Sequence, residues 1–82
     1  MSLSLYDLLR REVKRMVSGF GRHAQGNIHP LIMQEVEKCI IEAVLEETNF
    51  NLVMAAKILG IGRSTLYRKI KSLNIQDTSK NL

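Results

Sequence analysis

One predicted helix, at residues 30–47, carries apolar side chains on two separate faces. Ile41 and Leu45 form one face, and the other holds a longer series at helical spacing, Met33, Val36, Ile40 and Val44. An apolar helix face is stable only where it is covered, so a helix with two such faces needs two partners. In a chain of 82 residues with a single cysteine, the rest of the chain supplies one partner, and we expect another protein chain to supply the second.

Helical periodicity runs through most of the remaining sequence, and no segment shows the alternation that is typical of a strand. The predicted helices cover residues 4–18, 30–47, 52–59 and 63–73. Pro30 suits the first position of the second helix, because its missing N–H would have no intrahelical partner there. Three glycines and the lack of any period predict a loop at 19–28. The sequence therefore predicts an all-α fold of four helices.

The third and fourth predicted helices are short and are separated by residues 60–62, which is the layout of a helix-turn-helix. Asn49 and Asn51 are both candidate N-caps for the third helix. Gly60 can adopt the left-handed conformation that ends a helix, and Ala56 is small where two crossing helices approach closely. The residues expected to fill the space between these two helices are Ile61 and Leu66.

The net charge of +4 is unevenly distributed along the chain. Residues 48–76 hold five cations and no carboxylate, whereas five of the eight acidic residues lie between positions 30 and 47. The cations of this acid-free block are Lys57, Arg63, Arg68, Lys69 and Lys71. Such a block is typical of a surface that binds a polyanion, although a merely solvated face has the same composition.

The predicted helix-turn-helix indicates which side chains would meet DNA. In such a unit the second helix lies in the major groove, with its N-terminal residues at the base edges. Arg63 is in that position and can donate two N–H groups to a guanine; the alternative is an ordinary surface arginine. Thr65, Arg68 and Lys69 lie on the following turns, within reach of phosphates. Ser64 either joins these backbone contacts or only begins the helix.

Other functional classes find little support in the sequence. Cys39 has no neighbouring arrangement of histidine and carboxylate that would make it a nucleophile. Together with His23 and His29 it falls short of the four ligands of a structural zinc site, so we expect no enzyme activity, metal or cofactor. The chain has no apolar run of about 18 residues and no signal-peptide pattern, which predicts a cytoplasmic protein.

Two segments carry a resemblance to a known family. Residues 51–75, NLVMAAKILGIGRSTLYRKIKSLNI, strongly resemble the C-terminal helix-turn-helix of the Fis family. That family includes the nucleoid protein Fis and the DNA-binding domains of NtrC-type activators of sigma-54 RNA polymerase. Residues 35–48 resemble the second helix of the same fold, and residues 4–18 take the place of its first helix.

The resemblance implies a role for each matching side chain. Arg63 matches the base-reading arginine of the family, and Asn51 matches an asparagine that caps the third helix and approaches a phosphate. The residues that match groove or backbone contacts, together with the helix-start serine, are Ser64, Thr65, Arg68 and Lys69. Gly62 replaces an asparagine and Val53 replaces a threonine that many members carry, so we expect those two contacts to be missing.

The resemblance also implies a homodimer, because the first two helices of each Fis-like protomer interlock into a four-helix core. The expected interface residues are Leu5, Leu9, Val13, Met16, Phe20, Met33, Val36, Ile40 and Val44. Residues 1–82 then form a single domain, with dimerisation helices at 4–48, the helix-turn-helix at 49–75 and a tail at 76–82. The alternative is a monomer in which the first helix folds back on its own chain.

The expected function is sequence-selective binding of duplex DNA in bacterial transcription, as the C-terminal domain of an NtrC-type activator. An ATPase domain would then precede residue 1, and RNA polymerase would be an indirect partner. One alternative is a free-standing Fis-like nucleoid protein that bends DNA, and another is a helical adaptor that binds only proteins. The chain begins at helix one, without the β-hairpin arm with which Fis touches DNA invertases, so we do not expect stimulation of recombination.

Overall fold

The computed structural model of the chain describes residues 3–20, with only the backbone of Phe20, and residues 26–76. These ranges contain four α-helices and no strand, which confirms the all-α fold class. The helices are α1 (Leu5–Phe20), α2 (Ile28–Glu47), α3 (Leu52–Leu59) and α4 (Arg63–Ser72). No helix within these ranges is both long and apolar enough to cross a membrane. The chain divides into two compact units, Met1–Met33 and Gln34–Leu82.

In the first unit, α1 begins after a reciprocal cap. The Asp7 backbone N–H donates to Ser4 Oγ at 3.1 Å, and Asp7 Oδ2 accepts from the Ser4 backbone N–H at 3.3 Å. This arrangement satisfies N–H groups that have no partner inside the helix. The helix continues to Phe20, two residues beyond the predicted end. The predicted loop at 19–28 is thus helical at both ends, and its residues 21–25 lie outside the described part of the chain.

The second helix begins two residues earlier than predicted. Its first residue is Ile28, and the Asn27 carbonyl accepts from the Leu31 backbone N–H at 3.2 Å. Pro30 is therefore the third helical residue rather than the first. The predicted start was wrong by two residues because none of the N–H groups in the first turn has an intrahelical acceptor. A proline is therefore tolerated at any position of that turn and does not mark the first one.

The core of the second unit forms where α2, α3 and α4 meet. Ile41 and Leu45 of α2 are buried, Leu45 completely, so this apolar face of the helix is covered by the rest of the chain, as predicted. The other members of the core are Ala55, Ala56, Leu66, Ile70 and Ile75. Val44, predicted at a dimer interface, is partly buried and also packs against this core. The small Ala56 allows the two short helices to approach, as its position in the sequence indicated.

Three successive helices, α2, α3 and α4, end with the same pattern of closing hydrogen bonds, although after α2 the left-handed conformation extends to Phe50 (φ 63°). Each is followed by a residue in the left-handed conformation, namely Asn49 (φ 53°), Gly60 (φ 75°) and Asn74 (φ 56°). The next residue donates its N–H to a carbonyl five positions earlier, at 2.7 Å for Phe50, 3.1 Å for Ile61 and 2.9 Å for Ile75. This is the Schellman motif, in which the residue after the left-handed position packs back on the helix. Ile75 belongs to the core, and Phe50 and Ile61 are partly buried against it, so each connection is anchored at its apolar residue.

The two candidate caps of α3 have different roles. Asn51 is the N-cap, with extended backbone (φ −78°, ψ 102°), and its Oδ1 accepts from the Met54 backbone N–H at 3.1 Å. Asn49 instead takes the left-handed position after α2.

We expect Asn51→Ala to lower the free energy of unfolding by about 1 kcal/mol, because one N–H of α3 loses its acceptor. Urea denaturation at a fixed protein concentration measures this change. Asn51→Ser keeps a hydroxyl that accepts the same bond, so its stability should stay close to that of the wild type. Equal losses in the two variants would show that the cap does not stabilise the fold.

Candidate nucleic-acid interface

The turn between α3 and α4 fixes the start of α4. The Gly60 N–H donates to the carbonyls of Ala56 and Lys57 at 2.9 and 3.2 Å, which ends α3 in the left-handed conformation. A residue with a Cβ would be strained at this φ. Gly62 is the N-cap of α4 and offers no side-chain acceptor to its first turn. The N–H groups at the start of α4 are therefore open to an anionic acceptor, which the helix dipole also favours there.

The outward face of α4 is polar and basic. Leu66 and Ile70 are buried on the inner face, so residues on the opposite side point to solvent. The exposed side chains at that outward spacing are Ser64, Arg68 and Lys71. Lys71 was not among the predicted contacts, although its position three residues after Arg68 and seven after Ser64 places it on the same face.

One edge of α4 borders a groove between the beginnings of α3 and α4. The groove is shallow, and its lining residues are Leu52, Val53, Arg63, Ser64 and Tyr67. Arg63 and Tyr67 are both exposed, one helical turn apart. In the part of the chain that the structure describes, no side chain forms a hydrogen bond or ion pair with the Arg63 guanidinium. Its five N–H donors are available to an external acceptor.

The other edge of α4 faces α2, and the residues on this edge that were predicted to contact DNA are less accessible. Thr65 and Lys69 are both partly buried. Lys69 Nζ lies 2.7 Å from Glu37 Oε2 in an ion pair between α4 and α2. Arg68 Nη2 approaches Thr65 Oγ1 at 3.4 Å, a long hydrogen bond that leaves most of the guanidinium open. Ser64 and Arg68 therefore lie on the exposed outward face of α4, and Arg63 lies at the exposed edge beside the groove. Thr65 and Lys69 lie on the edge toward α2.

Two of the five acidic residues of α2 are near the far end of α4. Glu42 and Glu46 line a depression together with Asn74 and Ile75, which follow α4. Across the described ranges, no three His, Cys, Asp or Glu side chains cluster as metal ligands would, and Cys39 is an exposed free thiol.

Several residues of the predicted dimer interface are open to solvent in the single chain. Leu5 is 71 % exposed and Ile40 is 51 % exposed, and Leu9 and Met33 are also exposed. The half-buried members of the predicted interface are Val13, Met16, Val36 and Val44. The side chain of Phe20, which was also predicted to contribute, lies outside the described residues.

Comparison with known proteins gives one family match and no solved structure that matches. The family is described as bacterial regulatory protein, Fis family, and its model matches residues 32–73, about half of the chain. The matched segment contains most of α2 and all of α3, the turn and α4. It therefore includes the buried core of the second unit and the exposed basic face. The chain belongs to the Fis family of bacterial regulatory proteins, whose helix-turn-helix is a DNA-binding domain.

Proposed function

We propose that the chain binds duplex DNA as a homodimer, with α4 of each protomer in the major groove of one half-site. The observation that carries this proposal is the open, basic side of α4 on a Fis-family helix-turn-helix. Arg63, Arg68 and Lys71 are exposed there, and residues 48–76 contain no carboxylate to oppose a phosphate backbone. Binding through phosphates gives affinity, and a side chain at the base edges gives sequence preference.

The side chains have distinct roles in this proposal. Arg63 begins α4 and donates to the O6 and N7 atoms of a guanine. The residues that contact the DNA backbone are Asn51, Ser64, Thr65, Arg68 and Lys69. Because these contacts meet phosphates rather than bases, they fix the position of α4 in the groove without reading the sequence. The open N–H groups that follow Gly62 are a further donor set for a phosphate.

The homodimer is supported by the apolar side chains that a single chain leaves uncovered. Leu5, Leu9, Met33 and Ile40 are all exposed, although each is a large apolar residue at helical spacing. Covering one such side chain contributes about 1.5 to 3 kcal/mol. Several together are comparable with the whole stability of a small domain, about 5 to 15 kcal/mol. A second copy offers the same faces, and it also presents a second α4 to a symmetric DNA site.

The salt dependence of DNA binding tests the phosphate contacts. We expect Arg68→Gln to weaken binding to random and specific duplexes alike. The slope of log affinity against log salt should become shallower by about 0.9 for each protomer, because one fewer counterion is released. Fluorescence anisotropy with a labelled duplex at several salt concentrations measures this slope.

Lys38→Gln is the matched control for this experiment. Lys38 loses the same charge, but it lines the depression with Glu42 and Glu46 near the far end of α4. Its slope should stay close to that of the wild type. If both variants had the wild-type slope, Arg68 would not contact a phosphate. If the wild type ignored duplexes even at low salt, DNA binding by this domain would be rejected.

Within the Fis family, we assign the domain to the NtrC-type activators of sigma-54 RNA polymerase. The resemblance of residues 51–75 to those activator domains supports this assignment. An ATPase domain then precedes residue 1 in the native protein, and RNA polymerase is reached indirectly. An immunoblot of native cells distinguishes this arrangement from a free-standing nucleoid protein. A native band near 9.3 kDa, the mass of the present chain, would favour the nucleoid protein.

A further inference from the structure

One ion pair links the DNA-facing helix to α2. Lys69 Nζ and Glu37 Oε2 are 2.7 Å apart, although the two residues are 32 positions apart in the sequence. The Lys69 and Glu37 side chains are 34 % and 43 % exposed, so the pair lies at the surface rather than in the core. Arg63, Arg68 and Lys71 also belong to α4, and none of them pairs with a carboxylate in the described ranges. Lys69 is therefore the α4 cation whose charge is already opposed within the described structure.

The electrostatic consequence of this pair is larger than its effect on folding. A partly exposed ion pair contributes little to stability, because water and salt screen it. On a surface that meets DNA, however, a lysine that is neutralised by its own carboxylate releases no counterion when it approaches a phosphate. If Lys69 leaves Glu37 to reach a phosphate, the carboxylate remains unpaired beside the negatively charged backbone.

We propose that Glu37 is a positioning residue that restrains Lys69 and thereby lowers the affinity of the domain for DNA of any sequence. This inference rests on the proposed function. The carboxylate holds the ammonium group at the α2-facing edge of α4 and offsets its charge. More of the affinity for DNA then comes from Arg63, Arg68 and Lys71 than from Lys69. Because contacts to phosphates carry no sequence information, weakening one of them favours the base contact of Arg63 in relative terms.

The test compares Glu37→Gln with Glu35→Gln. Both variants remove one negative charge from α2, but Glu35 is exposed and makes no described contact with Lys69. Glutamine has the size of glutamate and keeps an oxygen that can accept from Lys69, so packing changes little. We expect Glu37→Gln to make the salt slope on a random duplex steeper by about 0.9 for each protomer. When salt is lowered from about 200 to 50 mM, the affinity of Glu37→Gln should therefore rise by about threefold more for each protomer than the affinity of the wild type does. This extra rise should exceed any extra rise in Glu35→Gln.

A second background shows whether the effect passes through Lys69. In Lys69→Gln protein, adding Glu37→Gln should change the slope no more than adding Glu35→Gln does. If Glu37→Gln and Glu35→Gln are equal in the wild-type background, the inference is overturned while DNA binding stands. It is also overturned if the Glu37→Gln effect persists without Lys69. If the wild type shows no salt-dependent binding to duplexes, both the inference and the proposed function fail.

Discussion

Arg63→Ala should remove most of the preference of the domain for its own site while leaving weak binding to random DNA. A bidentate arginine contact with guanine discriminates by about 1 to 3 kcal/mol, which is about fivefold to 150-fold per half-site. The position supports a large effect, because Arg63 is exposed as the first residue of α4 and no described side chain engages it. The two half-sites of a dimer contribute twice, so the loss on a symmetric site is greater still.

The measurement begins with a preferred site selected from random duplexes by the wild-type protein. Affinities for that site and for a scrambled duplex are then compared across variants. Arg63→Lys is the sharpest control, because it keeps the positive charge but lacks the planar, two-donor geometry. It should bind scrambled DNA nearly as well as the wild type and yet lose selectivity. Equal weakening of Arg63→Ala on both duplexes would make Arg63 a phosphate contact rather than a base contact.

Ile40→Glu should convert the protein into a monomer. Ile40 is 51 % exposed on a different face of α2 from the buried Ile41 and Leu45, so the change leaves the described core intact. In the proposed interface, a carboxylate at this position is buried once from each protomer. The desolvation penalty is several kcal/mol for each unpaired charge. Affinity for a symmetric site should then fall by about 100-fold or more, because the two half-sites are no longer bound together.

The mass in solution, measured by light scattering, tests this expectation directly. Ile58→Glu is the matched control, since Ile58 is 59 % exposed on α3 and does not belong to the proposed interface. The control should keep the mass of a dimer. A wild-type chain that is already monomeric at high concentration would contradict the proposal. So would an Ile40→Glu variant that keeps the mass of a dimer.

Local sequence signals were sufficient to predict much of the structure of the second unit. The bounds of α3 follow from a capping asparagine at one end and Gly60 at the other, and both signals depend only on neighbouring backbone groups. The burial of Ile41 and Leu45 follows from their spacing. The different roles of Asn49 and Asn51 could not be predicted from the sequence. Asparagine both accepts hydrogen bonds at an N-cap and tolerates a left-handed backbone, so the residue type fits either position.

The candidate interface was only partly predictable. Arg63 and Arg68 were expected at an exposed surface, and they are exposed. The pairing of Lys69 with Glu37 has no signal in the sequence, because it depends on how α4 packs against α2 and joins residues 32 positions apart. Helical periodicity assigns Lys69 to one side of α4 but does not say which neighbour lies beside it. Lys71 was recognised as a cation, and its spacing from Arg68 would have added it to the candidate contacts.

The anchored ends of α2, α3 and α4 affect which residues of the domain can be substituted without disturbing the fold. The inner residues of α4 and the turn before it, with Ile61, Leu66 and Ile70, hold the helix in place. Ser64, Arg68 and Lys71 are exposed on the outward face of α4. In the proposed binding mode, the residues that hold α4 in the fold and the residues that contact DNA are therefore different positions of the same short helix. Substitutions at the positions proposed to contact DNA can therefore change the preferred DNA site, in evolution or by design, while leaving the fold undisturbed.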